Sequence, residues 1–238
     1  MEAAADTRVK RDARIAGILY ILLGVIAPVR LIYIPNAVLV SGNAQATAAS
    51  IASHEAIFRV AILTDMLAGV LSLLVAMALF RLFRTVDRDL SLLMFFLGGG
   101  LVTSIYFFNL VNDAAALVVA RAPTYLAAFD QPQRDGLVSL FLRMHRYGVI
   151  VNEMFWGLWL FPLGGLILKS RLMPRFIAFW LFLNGGAYVL LSVLGVLSPS
   201  LESRVTDLMF PAQLAEIVVM FWLAFGRLPR DSQLVAEH

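Results

Sequence analysis

The segment that decides the fold is 143-RMHRYGVIVNE-153, which runs directly into the apolar segment 154-MFWGLWLFPLGGLIL-168. Together they predict a membrane-spanning helix that carries three cationic or titratable groups, an amide and a carboxylate at one end. Arg146 and Glu153 are seven residues apart, which is two turns on one helical face. Because ionisable groups inside a membrane cost free energy, we expect this polar face to point into a helix bundle and not into lipid.

The composition of the whole chain predicts an integral membrane protein. The chain has 238 residues, of which 61% are hydrophobic, and its mean hydropathy of +0.83 excludes an ordinary soluble domain. No cysteine is present, which excludes disulfides and thiolate metal sites. We predict an all-α bundle in a single transmembrane domain, residues 1–238, with short cytoplasmic tails at 1–13 and 228–238. Six apolar windows are long enough to cross a hydrocarbon core of ~30 Å: about Ile15–Ile34, Phe58–Phe80, Leu90–Val111, Val149–Leu168, Phe176–Leu197 and Leu208–Phe225.

The distribution of lysine and arginine predicts the orientation. Twelve of these residues lie in the N-terminal tail, the loops after spans two and four, and the C-terminal tail, whereas only Arg121, Arg134 and Arg204 lie in the loops on the other side. Because positive charge stays on the cytoplasmic side, both termini are predicted to be cytoplasmic, in a multi-pass protein of the cell membrane. The first span imitates a signal peptide, but its length predicts a permanent anchor.

Two short extracytoplasmic helices or loops are expected between the spans. The alanine-rich segment 44–53 follows Asn43, a residue type that commonly caps the first turn of a helix. The polar turn 130–133 precedes the second of these segments, which leads into the fourth span.

Counting residues from the cytoplasmic arginines and lysines predicts the depth of the charged side chains. Arg30, Asp65 and Glu153 each lie sixteen residues from such a marker, which places all three at about 24 Å from the inner boundary. Arg59, Asn109 and His145 come out at about 30–35 Å, at the outer interface. We therefore predict direct pairs of Arg30 with Asp65 or Glu153, and of Arg59 with Asp113.

Several segments resemble an uncharacterised bacterial family of multi-span membrane proteins, the domain of unknown function numbered 4386. The resemblance rests on ATAA at 46–49, EAIFR at 55–59 with Asp65, YLAAF at 125–129, HRYG at 145–148 and LMPR at 172–175. It implies a bacterial inner-membrane protein of six or seven helices and carries no activity.

Three functions remain open, besides a purely structural network of ion pairs. The first is binding of an anionic amphiphile, such as a fatty acid or lipid, in an outward-open polar cavity. Its predicted ligand-binding residues are Arg30, Arg59, Asp65, Asn109, Asp113, Arg146, Asn152 and Glu153.

The second function is that of a membrane-embedded hydrolase with His145 as general base and Thr64 or Tyr147 as its partner, acting on a lipid-like substrate. The third is a small proton-coupled transporter built on Glu216. We predict no metal site and no cofactor, because His145 is the only histidine associated with the bundle. The expected partners are membrane lipids and a small amphiphile, and nothing predicts contact with nucleic acid.

Overall fold

Every secondary-structure element in the described part of the chain is helical, in a computed structural model that describes residues 2–29, 38–40 and 42–226. Helices satisfy their own backbone hydrogen bonds, which a bilayer core requires. The α-helices are α1 (Glu2–Pro28), α2 (Ala44–Ser53), α3 (Glu55–Phe83), α4 (Arg88–Phe95), α5 (Val102–Ala120), α6 (Gln131–Leu158), α7 (Leu160–Ser170), α8 (Arg175–Leu197) and α9 (Pro199–Phe225). A π-helix, Phe96–Leu101, joins α4 to α5, and a 3₁₀ turn, Thr124–Leu126, follows α5.

Within the described residues, five helical stretches are long and apolar enough to cross a membrane: Glu55–Phe83, Arg88–Ala120, Gln131–Ser170, Arg175–Leu197 and Pro199–Phe225. They contain the second to sixth predicted windows and indicate a multi-pass membrane protein. The first window extends from α1 into residues that the structure does not describe. The total of six spans and the orientation of the termini therefore stay predictions.

Local sequence accounts for several helix ends and breaks. Asn43 caps α2 as predicted, since its side chain accepts a hydrogen bond from the Ala46 amide at 2.9 Å. Asp87 caps α4 through the Leu90 amide at 2.9 Å and also accepts a hydrogen bond from Lys169. Pro162 lacks a backbone donor, so the helix is interrupted at Trp159, between α6 and α7.

The chain divides into two compact units. The first comprises Met1–Gly24, Val70–Thr103 and Ile150–His238. Its core is aliphatic and aromatic, with Leu160, Leu163, Ile177, Leu181, Val219 and Leu223 among its buried members. Helices α1 and α9 approach closely, because a Cβ on Gly17 would lie 2.8 Å from the Cα of Ala224. Gly17 therefore sets the distance between these two helices.

The second unit comprises Val25–Gly69 and Ser104–Val149. Its core joins the short helix α2 to α3, α5 and α6 through small and medium apolar side chains, among them Ala48, Ile51, Phe58, Ala61, Ala116 and Val138. The buried alanines on α3 and α5 let the helices come close together. This unit contains most of the predicted ligand-binding residues.

Candidate functional site

Three ionisable side chains from three helices meet in the interior of the second unit. Asp65 belongs to α3, Asp113 to α5 and His145 to α6, and their exposed fractions are 4%, 0% and 6%. The Oδ2 atom of Asp113 lies 3.3 Å from Nδ1 of His145, and Oδ2 of Asp65 lies 4.0 Å from Nε2. Each nitrogen of the imidazole ring therefore faces a carboxylate.

The apolar pattern of each helix directs these groups inward. Asp65 lies one turn from both Ala61 and Ala68 on the buried face of α3. Asp113 lies one turn from Ala116, which is also fully buried. Small neighbours leave room for a polar side chain between helices, whereas larger apolar residues would fill the space. Asp65 and Asp113 are thus carried on buried faces of their helices.

Asn109 connects the two helices that hold Asp113 and His145. Its Nδ2 donates to the backbone carbonyl of His145 at 2.9 Å, and its Oδ1 accepts from Nδ2 of Asn112 at 3.0 Å. Gly148 makes room for this amide, because a Cβ at position 148 would overlap the Asn109 side chain. Asn109 therefore sets the register of α5 against α6, one turn from Asp113.

The cluster has the composition of a site for a divalent metal ion. One ligand atom from each of the three side chains lies within 4.8 Å of the other two. Tetrahedral zinc with bonds of ~2.0–2.1 Å separates its ligands by roughly 3.3–3.5 Å. To hold one ion, the two carboxylates would have to move closer together beside a single nitrogen of His145, because they now face different nitrogens of the ring. Two carboxylates match the charge of a divalent cation, and three protein ligands leave a position open, as in catalytic sites. The prediction that the protein has no metal site was based on the single histidine and did not foresee this convergence.

A second charged group of the same unit lies at its surface. Arg59 pairs with Glu55 at 2.7 Å, and Nε of Arg121 lies 3.3 Å from the other carboxylate oxygen. The predicted pair of Arg59 with Asp113 is wrong, because Arg59 is exposed and bonds the carboxylate one turn before it on α3. Two guanidiniums share a single carboxylate, which leaves this group with net positive charge.

The other two predicted catalytic residues, Thr64 and Tyr147, stay predictions. Thr64 donates its hydroxyl to the Ala61 carbonyl at 2.7 Å on its own helix. Tyr147 is 46% exposed, although His145 is buried. Arg146 is also exposed. Arg30 lies outside the described residues, so its predicted pair with Asp65 or Glu153 stays a prediction.

The depth calculation separated His145 from Asp65, whereas the structure brings the two side chains to 4.0 Å. The calculation assumed straight helices along the membrane normal. The helical stretch from Gln131 to Ser170 is interrupted at Trp159. It is 40 residues long, and this length is far more than a helix perpendicular to the membrane needs. Counting residues along such a helix overestimates depth.

Glu216 lies in a separate polar cluster in the first unit. Its carboxylate accepts hydrogen bonds from the Tyr20 hydroxyl and, at 3.1 Å, from Nδ2 of Asn184. Asn184 is fully buried, and its Oδ1 has no hydrogen-bond partner among the described residues. Tyr20 was not among the predicted site residues, although a tyrosine six residues after Arg14 in a predicted spanning helix was a usable signal.

Two further predicted ligand-binding residues belong to the first unit. Asn152 is buried on α6, and its Oδ1 likewise has no partner among the described residues. Glu153 is half-buried. Neither residue belongs to the Asp65, Asp113 and His145 cluster.

Comparison with known proteins identifies one family. A family model described as Domain of unknown function (DUF4386) matches residues 15–226. No curated protein matches the chain, and no solved structure matches it.

Proposed function

The chain belongs to the DUF4386 family, a domain of unknown function, and we propose that it is a membrane-embedded, metal-dependent hydrolase that acts on an amphiphilic, lipid-like substrate. The observation that carries this proposal is the convergence of Asp65, Asp113 and His145 in the buried interior of the second unit. A mixed set of oxygen and nitrogen ligands suits zinc or manganese.

The side chains have distinct roles in this proposal. The carboxylates of Asp65 and Asp113 and one nitrogen of His145 would hold the ion, which would supply an activated water and polarise the bond to be cleaved. Asn109 is a positioning residue, because it binds the His145 carbonyl and keeps α5 and α6 in register. Burial keeps the ligands away from bulk water, in which their charges would attract a metal ion less strongly.

The group of Arg59, Glu55 and Arg121 supports an anionic amphiphile as the substrate. Its net positive charge suits a carboxylate or phosphate headgroup. Arg59 lies six residues before Asp65, and Arg121 eight residues after Asp113, which corresponds to about 9–12 Å along the helices. A lipid-like molecule bound by its headgroup at these arginines would extend its chain toward the buried cluster.

Metal analysis of the purified protein tests the proposal. We expect about one zinc or manganese ion per wild-type chain, measured by inductively coupled plasma mass spectrometry after removal of weakly bound metal by gel filtration. Asp113→Asn, which preserves size, should lose most of the metal, whereas Asp89→Asn alters an exposed carboxylate and should retain it.

Substrate turnover tests the second half of the proposal. Hydrolysis of fluorogenic ester lipids should disappear with a chelator and return on addition of zinc or manganese. A wild-type protein that binds neither ion at micromolar concentrations, or an Asp113→Asn variant with full metal content, would contradict the metal site.

The polar cluster around Glu216 supports proton-coupled transport as a second candidate function. A carboxylate bonded to Tyr20 and to the fully buried Asn184, with no cation among these partners, can exchange a proton inside a membrane. In liposomes with a pH gradient, Glu216→Gln should abolish proton flux, and Glu202→Gln, outside this cluster, should not. Equal flux in wild type and Glu216→Gln would exclude this candidate.

A further inference from the structure

A small pocket lies in the first unit where the beginning of α1 meets the end of α3. Its lining is basic at the mouth and apolar below, and consists of Arg8, Val9, Asp12, Arg81, Leu82, Arg84 and Thr85. Val9 and Leu82 are buried, whereas the arginines reach solvent. The pocket therefore combines a charged rim with an apolar base.

The charges of the described residues that line this pocket do not cancel. Among them, three guanidiniums face the carboxylate of Asp12, which already lies 4.0 Å from Arg8 and 3.3 Å from Arg11. In the part of the chain that the structure describes, Arg81 and Arg84 form no ion pair with a protein carboxylate. The partial negative charge at the C-terminus of α3 offsets part of the positive charge of Arg81, which lies in the last turn of that helix. Arg84 directly follows the last residue of the helix.

The position of the pocket relates it to the membrane surface. Helix α3 is one of the five helices long and apolar enough to cross a membrane, and it ends at Phe83, between the two arginines. The distribution of lysine and arginine predicts that this end is cytoplasmic, and the cytoplasmic leaflet carries anionic lipids. Planar guanidiniums bind phosphate oxygens through two parallel hydrogen bonds, and the Thr85 hydroxyl adds a donor.

We propose that this pocket binds a phosphate group, and that the group belongs to the headgroup of an anionic phospholipid. The apolar base formed by Val9 and Leu82 favours a lipid, whose glycerol and first methylenes can contact it, over a free phosphate ion. This inference is independent of the proposed hydrolase, since the site lies in the other unit and shares no residue with the metal ligands.

Binding of a short-chain lipid by the detergent-purified protein tests the inference. The probe is dihexanoyl-phosphatidylglycerol, with uncharged dihexanoylglycerol for comparison, and affinity is measured by microscale thermophoresis at low salt. Neutralising both arginines in Arg81→Gln/Arg84→Gln should weaken binding roughly five- to thirtyfold, since each basic residue near an anionic surface contributes a factor of about five. Arg81→Lys/Arg84→Lys should recover part of the affinity, which separates lost charge from misfolding.

The control variant is Arg88→Gln/Arg175→Gln, which removes two exposed arginines predicted to lie on the same side of the membrane but outside the pocket. It should bind phosphatidylglycerol as wild type does. Inorganic phosphate should compete with the lipid only at much higher concentration; competition at equal concentration would assign the same site to free phosphate. Equal affinities of Arg81→Gln/Arg84→Gln and Arg88→Gln/Arg175→Gln, or equal binding of dihexanoylglycerol, would overturn the inference.

Discussion

Gly148→Ala is the substitution for which the structure predicts the clearest effect. A Cβ at this position would lie less than 3 Å from three atoms of the Asn109 side-chain amide, closer than real Cβ contacts allow. The amide can move away only by breaking its bond to the His145 carbonyl and disturbing its bond with Asn112. The methyl group would therefore compete directly with the contact that sets α5 against α6.

The expected magnitude follows from three contributions. Overpacking costs about 1–3 kcal/mol, and loss of a buried hydrogen bond about 0.5–1.5 kcal/mol. Alanine in place of glycine in a helix returns about 1 kcal/mol. We expect net destabilisation of about 0.5–3.5 kcal/mol. Gly136→Ala, in the same helix, places its Cβ where nothing lies within 4 Å, so it should stabilise the protein by up to about 1 kcal/mol.

Unfolding in mixed micelles, followed by circular dichroism, measures this difference. A double-mutant cycle identifies its cause: in the Asn109→Ala background the obstructing amide is gone, so Gly148→Ala should no longer destabilise. Equal stabilities of Gly148→Ala and Gly136→Ala, or an unchanged cost of Gly148→Ala without Asn109, would refute the role assigned to this contact.

Two further predictions concern the first unit. The hydrogen bond from Lys169 holds the pKa of Asp87 below its ordinary value of 3.8. The ionised carboxylate therefore stabilises the fold above that pH, and this effect is lost as the pH falls through the lowered pKa. The melting temperatures of wild type and Asp87→Asn should differ by a constant amount above pH 5 and converge at lower pH, and a difference that widens on acidification would contradict this. Tyr20→Phe removes a hydrogen-bond donor to Glu216 and should destabilise the protein by about 1–3 kcal/mol. The control Tyr125→Phe changes an exposed side chain and should alter the free energy of unfolding by less than about 0.5 kcal/mol. Denaturant unfolding measures both.

Much of the architecture could be predicted from the sequence, because the bilayer constrains helices through local composition. Apolar runs of about 20 residues predict spanning helices wherever they occur, and the structure places α3, α8 and α9 over the corresponding windows. The helix cap at Asn43 could also be predicted, because the free backbone amides of the first helical turn need an acceptor and an asparagine side chain directly before the helix supplies one.

Which charged side chains pair with each other could not be predicted from the composition of single segments. Arg59 was expected to reach Asp113, yet it bonds Glu55 on its own helix. Asp113 instead faces His145, which the depth calculation placed at the outer interface. An ion pair depends on helix rotation, tilt and interruptions such as the one at Trp159, none of which is encoded in the spacing of charges along one helix.

The sequence by itself determined that the chain is helical, apolar enough for a membrane, and a member of the DUF4386 family. It also determined which ionisable groups lie in apolar segments, because that depends only on their positions along the chain. Only the tertiary structure decided that Asp65, Asp113 and His145 meet while Glu216 lies apart with Tyr20 and Asn184. The physical reason is that contacts between helices are selected by side-chain packing across their faces, where Gly148 and the buried alanines determine how closely each pair approaches.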